Sequence, residues 1–196
     1  HWDPDSGNTR LDAILRKAQR ITERIPLIIS SHQRLRGGHE PVEPRSNCGI
    51  AFNFLYTLTG KEPDPVMVKA MDTAFILHAD HELNASTFTA RVTAATLTDI
   101  YSAMTSAIAA LKGPLHGGAN AEVMKMLEEI GDAYKAEGWV KRQLADKKKV
   151  PGFGHRVYRC EDPRATVLRE SARQITTLTG KTRYFEIALE VEKAML

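Results

Sequence analysis

The 196-residue sequence is poor in cysteine, poor in aromatics and nearly balanced in charge: two Cys, 7% Phe, Trp and Tyr, and a net charge of +3. Cys48 and Cys160 stand far apart with no CxxC spacing, which speaks against a redox pair and leaves two unpaired thiols of a reducing cytosol as the reading. So small a positive charge does not argue for nucleic acid. The nearest basic cluster, Lys147–Lys149, reads as a solvated helix end, although it directly precedes a glycine-rich stretch that would suit an anion. No apolar run approaches the ~20 residues of a membrane span, and HWDPDSGNTR carries no signal-peptide pattern. No membrane association and a cytoplasmic location are the expectations. Neither GxxxxGK[ST] nor GxGxxG after a strand is present.

What is present is helical periodicity. The composition, 42% hydrophobic and 26% charged, is that of a globular protein with a real core. Leu11, Ile14, Leu15, Ala18, Ile21 and Ile25 follow one helical face, which Pro26 is expected to end or kink. Ser46 is a candidate cap for a helix that stops at Gly60. Asp64–Pro65 is a cap followed by proline at the first helical position, opening a helix to about His78. Two helices rich in Ala, Thr and Ser follow over 85–97 and 99–111, and their small residues permit close helix packing, as between subunits. Further helices are expected over 118–130, 140–146, 163–179 and 184–196. The class is all-α. The last apolar pattern is still running at Leu196, and the chain starts at His1 without methionine, so a fragment or processed product is expected.

Three segments carry chemistry. HADHELNAS (78–86) crowds His78, Asp80, His81 and Glu82 at a helix end. Metal binding is one reading, but the i, i+3 spacing of its histidines is not the i, i+4 of helical zinc sites, and no metal is assigned. The other readings are a capped helix end and a His turned into a cleft to meet a carboxylate or carbonyl. GPLHGGAN (113–120) sets His116 between Pro114 and a Gly pair before a helix, where it either stabilises an oxyanion or serves a turn. VPGFGHRVYRCEDPR (150–164) joins glycine amides to His155, Arg156, Arg159 and Arg164, residue types that suit a polyanionic ligand. Imidazole donates, accepts or shuttles protons near neutral pH, so three such segments point to acid–base chemistry on a polar substrate.

Together HADHELNASTFTARV, LKGPLHGGAN and PGFGHRVYRCEDPRA resemble citrate synthase, in the shorter bacterial and archaeal style that includes 2-methylcitrate synthase. DPDSGNTR, EPVEPR and AFNFLYTLTGKEPDP extend the resemblance over nearly the whole chain. It implies a multi-helical fold with 1–117 as part of the large domain and 118–196 as most of the small one. It also implies a homodimer through helices around 85–111. The implied reaction joins acetyl-CoA to oxaloacetate and hydrolyses the thioester to citrate and CoA, the entry to the tricarboxylic acid cycle, with CoA as cosubstrate and no permanently bound cofactor.

By resemblance, His116 hydrogen-bonds the thioester oxygen as the enol forms, and His155 polarises and protonates the oxaloacetate carbonyl. His81 binds substrate, and Arg164 pairs with an oxaloacetate carboxylate. Arg159 meets CoA phosphates, and the backbone of Val150, Pro151, Gly152, Phe153 and Gly154 lies against the adenine. The family's base, an Asp in a segment resembling PNVDFYS, falls beyond Leu196, and neither Asp80 nor Asp162 matches it. Further substrate arginines, one from the partner subunit, fall there too. The expectation is therefore a piece that lacks N- and C-terminal parts and is inactive alone. Propionyl-CoA in place of acetyl-CoA, or a non-catalytic subunit, are the alternative readings.

Overall fold

The computed structural model describes residues 3–80, 82–154 and 162–196, which form two compact units. One comprises 1–82 with 90–105, the other 83–89 with 106–196. Among the described residues all regular structure is helical.

In the first unit, α1 (Leu11–Arg36) packs on α2 (Ile50–Thr59), and α2 on α3 (Pro65–Ala79). Pro26 does not end α1, which continues for ten residues beyond it. An internal proline removes one backbone hydrogen bond and crowds the preceding turn. The stretch after Pro26 is compensated by its seat on α2, where the Ser30 and Thr57 hydroxyls meet at 2.7 Å and both residues are fully buried. Ser46 does not cap α2 either; Gly49 stands there and supplies no side-chain cap. Asn53 does the local work instead. Its amide accepts from Arg45 N–H at 2.8 Å and donates to the Arg45 and Cys48 carbonyls at 3.1 Å, closing the turn onto the helix. Cys48 is a free thiol, and Cys160 lies outside the described residues. Asp64 caps α3 as its sequence predicts, accepting from Val66 N–H at 2.8 Å.

Helices α4 (Ala85–Ala94) and α5 (Ile100–Leu111) run through the unit boundaries. Asn84 opens α4 by accepting from Thr87 N–H at 3.0 Å, and Asp99 opens α5 by accepting from Tyr101 and Ser102 N–H at 2.9 Å.

The second unit holds α6 (Ala119–Ile130), α7 (Ala136–Ala145), α8 (Pro163–Thr179) and α9 (Arg183–Met195). Its core is apolar: Met126, Leu127, Ile130, Ala136, Trp139, Val140, Val150, Ile187 and Val191 are all buried. Helix α7 begins four residues before the expected Val140, led by a 3₁₀ turn over Ala133–Lys135. Gly138 masks that start in the sequence, yet burial of Ala136 and Trp139 in the core outweighs its low helix propensity. Lys147–Lys149 are exposed, with Lys148 paired to Asp146 at 3.1 Å. Gly131 and Gly180, at φ +77° and +67°, stop α6 and α8.

Candidate functional site

His116 sits in the turn between α5 and α6, and the turn is built on its two glycines. The Gly117 N–H donates to the Leu111 carbonyl at 3.0 Å, and a Cβ at Gly117 would stand 2.2 Å from that same oxygen. A Cβ at Gly118 would come within 3.0 Å of the Pro114 carbonyl oxygen. The space these glycines leave is thus filled by the chain's own backbone, which fixes His116 in place. His116 N–H donates to the Gly113 carbonyl at 3.0 Å. Its ring is half-buried, with Nε2 2.6 Å from the Ser86 hydroxyl in the first turn of α4. Nδ1 makes no hydrogen bond to the described residues. Asn84, capping α4 two residues earlier, holds the backbone that carries Ser86.

Residues 150–154 lead from the core to the surface. Val150 is buried at 4% exposure and anchors the stretch, while Phe153 is exposed. Gly152 and Gly154 take φ +89° and +81°, the left-handed region that side chains resist. Phe153 N–H donates to the Val150 carbonyl at 3.3 Å, closing a turn. Beyond the undescribed residues, Asp162 caps α8 by accepting from Arg164 N–H at 2.9 Å. The same carboxylate receives the Arg164 guanidinium, from Nε at 3.0 Å and from Nη2 at 2.6 Å. A cleft of about 710 Å³ joins these parts, lined by Pro151–Gly154, Asp162, Ala165, Leu168, Phe185 and the Arg169–Glu192 ion pair. His116 and Arg164 do not line it.

The structure thus brings Pro151–Gly154 and Asp162 together, buries Val150 in the core and puts His116 against Ser86. His81, His155 and Arg159 lie outside the described residues. In the HADHE segment His78 is spent on its own helix, its Nδ1 2.7 Å from the Ala74 carbonyl oxygen. Asp80 accepts from Glu82 N–H at 3.0 Å. Among the described residues no three His, Cys, Asp or Glu side chains gather to hold a metal ion. Sequence reasoning assigned no role to Ser86, although it stands inside the HADHELNAS segment. The one available signal was a hydroxyl on the first turn of a helix that starts just after a histidine-rich helix end. It also left Asp162 as a turn residue and missed its grip on Arg164.

The described residues define an all-α protein in which a glycine turn holds His116 against Ser86 and Asp162 holds Arg164 at the start of α8. Residues 2–196 match the model of the citrate synthase C-terminal domain family, and the chain belongs to the citrate synthase family. It is 54% identical over 190 residues to citrate synthase 2 of Bacillus subtilis, covering 97% of this chain and 51% of the relative. It is 43% identical over 185 residues to a 2-methylcitrate synthase of Mycobacterium tuberculosis, covering 94% and 47%. Among solved structures, the ternary complex of carboxymethyl coenzyme A and oxaloacetate with citrate synthase from Thermoplasma acidophilum superposes with a TM-score of 0.88 at 34% identity. That match covers 95% of this chain and 51% of that one. The chain spans about half the length of these proteins.

Proposed function

We propose that the whole protein to which these residues belong is a citrate synthase, condensing acetyl-CoA with oxaloacetate and releasing citrate and CoA. The observation that carries this reading is the Ser86–His116 contact in a turn with no room for a Cβ. A thioester α-hydrogen is weakly acidic, so its removal needs a donor already aimed at the developing enolate oxygen. With the Ser86 hydroxyl donating to Nε2, a neutral His116 keeps its proton on Nδ1 and offers it to that oxygen. Arg164 then binds an oxaloacetate carboxylate, its guanidinium held in orientation by Asp162. The backbone of Val150–Gly154 lies against the CoA adenine, and Arg159 meets CoA phosphate. His81 binds oxaloacetate, and His155 polarises its ketone. No resident cofactor or metal takes part.

Asp80 accepts from Glu82 N–H in a turn and Asp162 caps α8, which supports the reading that neither is the base. The 196-residue chain alone is proposed not to turn over. Residues 1–117 belong to the large domain and 118–196 to the small one. Closure of the small domain over bound oxaloacetate excludes water and limits wasteful thioester hydrolysis. A cytoplasmic setting fits the free thiol of Cys48, and no described helix is long and apolar enough to cross a membrane.

The functional unit is a homodimer packed through α4 and α5. Phe88, Val92, Ile108 and Leu111 on these helices are all exposed, at 47–56%.

A second reading rests on the relatives named 2-methylcitrate synthase. Measuring kcat/KM for acetyl-CoA and propionyl-CoA on the protein expressed from its complete coding sequence separates the two. One methylene is worth about 1–3 kcal/mol in a pocket, so a ratio of about 10–200 in either direction assigns the substrate. In the same protein His116→Ala is expected to lower kcat by about 10²-fold or more. An unchanged kcat would remove His116 from the mechanism, and no release of CoA from either thioester would leave the non-catalytic subunit as the reading.

A further inference from the structure

The basic run at the C-terminal end of α7 has no part in the chemistry above. Arg142, Lys147 and Lys149 are all exposed, and none makes an ion pair or a side-chain hydrogen bond with the described residues. The described carboxylates around them in the chain are already matched. Glu137 holds Lys141 at 2.5 Å and Asp146 holds Lys148 at 3.1 Å, while at the cleft lined by Pro151–Gly154 Asp162 holds Arg164 at 2.6 Å. Three unbalanced positive charges therefore remain within eight residues.

The turn that carries them leads straight to residues 150–154. After α7 ends at Ala145, Lys147 N–H donates to the Leu144 carbonyl at 3.0 Å and Lys148 N–H to the Gln143 carbonyl at 2.8 Å, so the run folds back on the last turn of the helix. Lys147 takes φ +56°, a conformation glycine adopts freely and lysine resists, so a cation stands where glycine would fit with less strain. Buried Val150 follows at once and anchors the chain. Three residues of chain reach at most about 11 Å, which bounds the distance from Lys149 to Gly152. Charge acts across such a gap, since the screening length is about 10 Å at 0.1 M and about 30 Å at 0.01 M.

Residues 150–154 are those proposed above to lie against the adenine of CoA, whose ribose 3′-phosphate and diphosphate are the most negative part of either substrate. We propose, on the strength of the citrate synthase reading of the whole protein, that Arg142, Lys147 and Lys149 form an electrostatic landing surface for the phosphate end of the acyl-CoA. The surface draws the nucleotide to residues 150–154, speeds its association and touches none of the reacting atoms. Steering of this kind raises the on-rate and fades with salt, and it leaves the chemical step after binding as it was. Oxaloacetate, less charged and bound by other residues, is little affected.

The test compares the protein expressed from its complete coding sequence with its Lys147→Gln/Lys149→Gln double variant. At about 0.02 M ionic strength the variant is expected to lose about five- to tenfold in kcat/KM for the acyl-CoA it turns over, with kcat and the KM for oxaloacetate unchanged. The gap should close by about 0.5 M salt. Lys147→Arg/Lys149→Arg should keep the wild-type value, and the dephospho-CoA thioester, which lacks the 3′-phosphate, should show a smaller gap. Calorimetry with CoA alone separates the landing surface from the reading it rests on. A protein that turns over no thioester, yet binds CoA more weakly in the Gln variant at low salt, loses that reading and keeps the surface. An unchanged kcat/KM at low salt, a loss that persists at about 0.5 M, or no binding of CoA at all would each overturn it. So would lower thermal stability with unaltered CoA binding, the result for cations that serve only the carbonyl end of α7.

Discussion

The two units spend their apolar residues in opposite ways. The second buries Trp139, Val140, Ile187 and Val191 in one contiguous core, each at 6% exposure or less. The buried residues of the first are small or polar: Ala13, Lys17, Ser30, Ala51, Thr57 and Ala103. Its large apolar side chains on α1 face outward, with Leu11, Leu15 and Ile28 at 61–72% exposure. Burial at about 25 cal/mol per Å² makes this core the main apolar contribution to the second unit. The first has helix contacts, one buried hydroxyl pair and ion pairs instead, and it leaves apolar side chains on α1 exposed. Of the residues proposed for the site, His116 and Arg164 belong to the second unit.

Core truncation exposes this contrast most strongly. Ile187→Ala should destabilise the second unit by about 3 kcal/mol in a urea titration followed by Trp139 fluorescence. Ile28→Ala, at a site 64% exposed, should stay within about 0.5 kcal/mol. A large loss from Ile28→Ala in the isolated chain would show that the α1 face is already covered.

Gly117→Ala comes next. Its Cβ must displace the Leu111 carbonyl, so a loss of about 2 kcal/mol or more is expected, with the His116 imidazole resonances shifting in NMR spectra. In the first unit, Thr57→Val breaks the buried hydroxyl pair and should cost about 1 kcal/mol in thermal unfolding. Combining it with Ser30→Ala should cost less than the sum of the single changes, because the two hydroxyls share one contact.

The smallest effect belongs to the Arg169–Glu192 pair between α8 and α9, both side chains about one-third exposed. Glu192→Gln should lower stability by no more than about 0.5 kcal/mol. A loss of several kcal/mol there would mean that charge, and not the apolar core, holds the second unit together.

Local chemistry was legible in the sequence, and long-range contact was not. Asp64–Pro65 and Pro163 announce helix starts, and Gly60, Gly131 and Gly180 announce stops, because a cap or a left-handed residue acts within one turn. Of the two outcomes expected at Pro26, ending the helix did not occur, because the following turns pack on α2. Ser46 misled because a cap must sit at the helix's own first turn, and that position belongs to Gly49. Ser86 and His116 are thirty residues apart, and nothing in either segment says that a hydroxyl will meet a ring nitrogen. The family resemblance pointed to His116, and the structure added the side chain that orients it.

The central claim is that these residues carry the enol-stabilising and substrate-binding side of a citrate synthase site without its base. The most direct test is CoA release from acetyl-CoA and oxaloacetate by a mass-verified 196-residue chain. The account predicts no release above the uncatalysed background. Turnover at an ordinary enzymatic rate, roughly 1–10³ s⁻¹, would contradict it.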